Sequence, residues 1–138
     1  MSRVRIGTRR FREDLQRERG ISADEAQQLL QGYDRSAHLD AVLESRGEEI
    51  AVGIERAAAF LASSSRSPGQ VRAIYTCGGG ARIPGLSDAL ADRLRISVQQ
   101  ANPLTNLTIR DGALDSLVTD EVASLLMLPI GLAMRQVA

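Results

Sequence analysis

The sequence predicts an α/β fold, and three observations carry that prediction. Apolar residues recur at helical spacing through the first half of the chain, and a β-prone run, Val71-Arg72-Ala73-Ile74-Tyr75-Thr76-Cys77, follows them. That run ends on the consecutive glycines Gly78, Gly79 and Gly80 and reopens as a helical pattern from Leu86 to Leu94. A second alternating run, Ile96-Ser97-Val98-Gln99, completes a β-α-β unit whose connection is long enough for a right-handed crossover between parallel strands. With 138 residues, 43% of them hydrophobic, the chain can bury one ordinary core and reads as a single domain over 1–138. Its helical part covers about 8–65 and its β-α-β part about 66–138.

In chain order, Val4-Arg5-Ile6 reads as the end of a strand, and Gly7-Thr8 leads into a helix with Phe11, Leu15 and Arg19 at helical spacing. Arg3, Arg5, Arg9, Arg10 and Arg12 crowd this start, but Glu13, Asp14 and Glu18 answer them, so a solvated helix face is expected here. Gly20 ends the helix. Ser22 with Glu25 three positions later is a capping-box signature for the next, Ser22 to Gln31, which Gly32 closes.

A long helix is expected from about Ser36 to Ser63, on a stripe of Leu39, Val42, Leu43, Ile50, Ile54, Ala57, Ala58 and Leu61. Gly47 and Gly53 interrupt it, each costing about 1 kcal/mol relative to Ala. The composition of 63–69 is that of a loop. Beyond the β-α-β unit, Ala101-Asn102-Pro103 breaks the second strand and 104–118 reads as loop, with Leu107-Thr108-Ile109 as a further edge strand. Asp120 then caps a closing helix, Glu121 to Arg135, bent near Pro129.

Composition excludes several chemistries. The 17 basic and 17 acidic residues cancel, so no global field recruits nucleic acid or an anionic membrane. Every basic residue is Arg, which removes Lys-based nucleophilic and general-base catalysis. The single cysteine rules out an intramolecular disulfide and multi-Cys metal sites; Cys77 itself reads as a small buried hydrophobe closing the strand. His38, the one histidine, has no second His or ligand cluster and is expected as a solvated residue at a helix start. No stretch approaches the ~20 apolar residues of a membrane span, and no signal peptide is visible; the chain is expected to be cytoplasmic.

The junction Thr76 to Leu86 is the most informative segment. Three glycines let backbone N–H groups come close to a ligand, and Pro84 suits the first turn of the following helix, where unpaired N–H groups carry partial positive charge. The dinucleotide pattern G-x-G-x-x-G fails at Ile83. The phosphate loop G-x-x-x-x-G-K-[ST] fails at Leu86, where Lys is required. A sharp turn from a buried strand into a helix accounts for the same glycines with no ligand at all.

Three segments together, Cys77 to Leu86, Ala101-Asn102-Pro103-Leu104 and Leu128 to Arg135, resemble the carboxy-terminal part of PilM-type proteins. These are actin-like ATPase-fold components of type IV pilus assembly, related to the cell-division actin homologue FtsA. The amino-terminal stretch, with Ile6-Gly7-Thr8, Gly20-Ile21-Ser22 and Glu25-Ala26, resembles the segment entering the small subdomain of the second lobe. The resemblance implies a partial second lobe of an actin-like, ribonuclease H-like fold with a small helical subdomain. It places Gly78, Gly79, Gly80 and Ala81 along the adenosine of ATP.

Two departures limit it. No D-x-G run is present to coordinate metal and orient water, so no Mg and no ATPase activity are expected of this chain. Relatives carry Ala-Glu-x-x-Lys on the second helix, where this sequence has Gln27 and Leu30; Gln27 keeps a nucleoside-contact position without its charge. By resemblance the chain is a scaffold peripheral to the inner membrane, with inner-membrane pilus assembly proteins as partners. With so few strands, it is expected to associate with itself or with an amino-terminal lobe absent from it, whether it is a fragment or a truncated paralogue. The competing readings are a nucleotide-binding enzyme and a non-catalytic interaction module.

Overall fold

A computed structural model of the chain describes residues 7–33, 39–64, 70–114 and 122–135. The element order is α1 (Thr8–Arg19), α2 (Ala23–Leu30), α3 (Asp40–Ser64), β1 (Ala73–Thr76), α4 (Leu86–Leu94), β2 (Ser97–Gln100) and α5 (Met127–Ala133). Short 3-10 turns at Gly79–Arg82, Pro103–Asn106 and Ala123–Leu125 punctuate the second half. The expected strand end at Val4-Arg5-Ile6, Arg3 and Arg5, the start of the long helix at Ser36, His38, most of the loop at 65–69, and Asp120 and Glu121 lie outside the described residues.

Local signals place the first helices. Gly20 caps α1 in the left-handed region at φ 64°, which glycine reaches without a Cβ penalty. The capping box of α2 is complete: the Glu25 N–H donates to Ser22 Oγ at 3.2 Å, and the Ser22 N–H donates to Glu25 Oε2 at 2.8 Å. Both bonds fasten α2 at the position from which Gln27 projects.

The core lies where α1, α2, α3 and α4 meet. Phe11, Leu15, Ala26, Leu30, Val42, Ala51 and Leu90 are buried in one cluster, joined by Ile83 and Leu86 from the far side of the glycine turn. α3 runs unbroken through Gly47 and Gly53, but only its first half is covered: Phe60 and Leu61 stand exposed. β1 and β2 pair in parallel, Ala73 opposite Ser97 through Thr76 opposite Gln100, and form a two-stranded sheet.

Several expectations are corrected. Asp14 belongs to the core face rather than a solvated one: it is 6% exposed, pairing with Arg17 at 2.9 Å and with Arg46 of α3. Phe11, Asp14 and Leu15 stand at i, i+3 and i+4, so the face that buries the two apolar residues carries the carboxylate inward with them. Cys77 is exposed rather than buried, because β1 stops at Thr76 and no described element covers the end of this small sheet. Pro84 stands before α4 rather than in its first turn; the N-cap is Gly85, at φ 78°.

The carboxyl-terminal half departs furthest. Leu107-Thr108-Ile109 forms no strand; instead Asn102 Oδ1 accepts from the Leu104 N–H at 2.9 Å and starts a 3-10 turn. The closing helix is not continuous. Ala123–Leu125 is 3-10 and α5 begins at Met127, so Pro129 falls in the first turn of α5, where its missing N–H has no helical partner to lose.

Candidate functional site

The glycine turn is a 3-10 segment packed against the 3-10 turn at Ala123–Leu125 and the start of α4. Gly78 leaves β1 at φ 82°, and its N–H donates to the Ser124 carbonyl at 2.8 Å, which binds the turn to the segment before α5. Gly79 to Arg82 then close with the Ala81 N–H on the Gly78 carbonyl and the Ile83 N–H on the Gly80 carbonyl, both at 3.2 Å. A Cβ on Gly80 would stand 3.6 Å from the Thr8 methyl, so the turn passes close against the start of α1.

A pocket of about 180 Å³ opens beside this turn, lined among others by Thr8, Gln27, Gln31, Gly79, Arg82 and Leu125. Gln27 and Gly79, singled out separately in the sequence, thus share one cavity. Gly78, Gly80 and Ala81 shape the backbone behind it without lining it. Leu30, where the resemblance expects Lys, lines the same pocket and is also part of the core, so it offers an apolar wall.

Thr8, Gln31, Arg82 and Leu125 went unrecognised in the sequence. Gln31 stands at i+4 from Gln27, a spacing that puts both amides on one helix face and was legible in principle. Thr8 and Leu125 reach the pocket only through tertiary packing. Arg82 is the one charged residue lining it, and among the described residues it has neither ion pair nor hydrogen bond. An uncommitted guanidinium, two primary amides and a hydroxyl can stack on a planar ring and exchange hydrogen bonds with its edge. The volume is below the range usual for a complete small-molecule site, so the cavity forms one wall of one.

Among the described residues no three His, Cys, Asp or Glu side chains are grouped to hold a metal ion, and no helix is long and apolar enough to cross a membrane.

Helices α1 to α4 packed around one core, with α4 against a short parallel sheet and a glycine turn at the strand end, define an α/β unit with a small pocket beside that turn. Residues 3–137 match the family described as type IV pilus assembly protein PilM, and the chain belongs to that family. Its fold is similar to a solved structure described as the PilM-PilN type IV pilus biogenesis complex, with a TM-score of 0.72 and 20% sequence identity. The similarity covers 92% of this chain and 36% of the solved one, so the chain spans little more than a third of that relative's length. Comparison with curated proteins gives no match.

Proposed function

We propose that the chain is the nucleoside-facing part of a type IV pilus assembly protein, acting as a cytoplasmic scaffold peripheral to the inner membrane and without ATPase activity of its own. Membership of the PilM family supports the pilus role, and the neighbour described as a PilM-PilN complex supports a pilus biogenesis protein as partner. The meeting of Gln27 and Gly79 in one pocket carries the nucleoside reading. The adenosine of ATP lies against Gly79 of the Gly78 to Ala81 turn, Gln27 supplies an edge hydrogen bond, and Arg82 stacks on the base. Such a partial actin-like lobe meets one face of the nucleotide.

Phosphoryl transfer needs metal and charge placed around the γ-phosphate, and neither a D-x-G run nor any Lys is present to place them. Calorimetric titration tests the site. ATP, ADP and adenosine should bind weakly and alike, with no turnover of Mg-ATP, and Gln27→Ala should weaken each about two- to tenfold. ATP held far more tightly than adenosine, or measurable hydrolysis lost on Gly79→Val, would reveal a phosphate site and overturn the non-catalytic reading. If none of the three binds, the turn serves the fold alone.

A further inference from the structure

The groove between α3 and α4 lies apart from the glycine pocket and has the opposite electrostatics. It has a volume of about 630 Å³, with Leu43, Gly47 and Ala89 on its floor. Asp40, Glu44, Glu48 and Asp92 line it, against the single guanidinium of Arg93. That guanidinium is already committed: Nε and Nη2 donate to Glu48 at 2.5 and 3.0 Å, and Nη1 donates to Glu55 at 3.0 Å. Glu44 and Asp92 are exposed and, among the described residues, form no ion pair or hydrogen bond through their carboxylates, so the groove lining is net negative.

The floor is open as well as apolar. Gly47 is buried, yet a Cβ placed on it would meet nothing within 4 Å. The carboxylates are not grouped to hold a metal ion among the described residues, and their charge repels an anionic ligand. An apolar floor beside the carboxylates of Glu44 and Asp92 suits a chain segment that brings both apolar surface and positive charge.

We propose that this groove docks a cationic amphipathic segment of a partner protein, its apolar side chains over Gly47 and Ala89 and its Arg or Lys side chains on Glu44 and Asp92. The probe is a labelled helical peptide presenting Leu on one face and Arg at the flanks, titrated with the 138-residue chain by fluorescence anisotropy. Saturable binding that weakens with salt is expected. It should fall roughly tenfold for the double variant Glu44→Gln, Asp92→Asn, and vanish for Gly47→Leu, which fills the floor. Gly47→Leu is read only if its circular dichroism matches the parent; otherwise the charge variant decides. No binding, equal binding of a peptide with Glu in place of Arg, or binding indifferent to the charge variant would overturn the proposal. Self-association abolished by Gly47→Leu would make a second copy the occupant and would also overturn it.

Discussion

The backbone N–H of Gly78 donates to the carbonyl of Ser124 at 2.8 Å, so the glycine turn is held by the segment that opens the carboxyl-terminal helices. Ser124 is itself 1% exposed, and among the described residues its Oγ has no hydrogen-bond partner. The bond to the glycine turn is made by its backbone carbonyl, not by its hydroxyl.

Ser124→Ala should therefore be neutral or stabilising by up to about 1 kcal/mol, because it removes a desolvated hydroxyl while leaving the Gly78 bond intact. Urea denaturation gives the change directly. A loss of stability would mean that the hydroxyl finds a partner when folded.

Two glycines on either side of the α3–α4 groove should respond to alanine with opposite signs. Gly85 sits at φ 78°, and a Cβ there would lie 3.0 Å from Leu43 Cδ1; Gly85→Ala should cost about 1–2 kcal/mol. Gly47 has helical neighbours and open space, so Gly47→Ala should add about 0.5–1 kcal/mol. Thermal melts of the two variants, measured side by side, should bracket the parent. The same sign for both would contradict the backbone geometry.

Asp14 ties α1 to α3, and the hydrogen bond from Arg46 holds its carboxyl below the usual carboxylate range against the opposing effect of burial. A depressed folded-state pKa means that the unfolded chain takes up a proton first as pH falls. The stabilisation is full above the unfolded value of about 3.9 and is lost as pH drops toward the folded one. Asp14→Asn should cost about 1–3 kcal/mol at neutral pH, since it leaves the Arg46 charge without its buried partner. The variant should also show a shallower fall in stability below about pH 4. Chemical denaturation at a series of pH values tests both, and parallel pH profiles would mean that Asp14 is not the group responsible.

The chain should associate with itself or with a partner lobe. Among the described residues the sheet has two strands and therefore two open edges, Tyr75 on β1 is 67% exposed, and Leu128 and Leu132 of α5 are 71% and 59% exposed. Light scattering across a concentration series should show growth in mass. A cooperatively folding monomer at high concentration would show that these surfaces tolerate water and need no cover.

The legible part of the fold was the part written in short-range chemistry. The α2 box rests on residues three apart, the end of α1 on a glycine next to its last turn, and the β-α-β unit on the spacing of two β-prone runs. The closing helix is the part least legible in sequence: Pro129 suggests a bend within one helix, and instead sits in the first turn of a new one. That choice depends on what the preceding 3-10 turn packs against, and no local signal encodes it.

By itself, the sequence determined where most helices and both strands lie, that no Lys chemistry operates, and that Gly78 to Gly80 form a turn, because caps, periodicity and missing side chains act within a turn or two of the chain. Only the tertiary structure decided which faces are covered. Asp14 is inside because α3 brings Arg46 to meet it, and Cys77 is outside because it follows the last residue of β1 and no described element covers its side chain. Gln27 and Gly79 share a pocket because α2 and the glycine turn pack on the same side of the core. Burial and proximity are relations between distant segments, and they exist only once the entropy of bringing those segments together has been overcome.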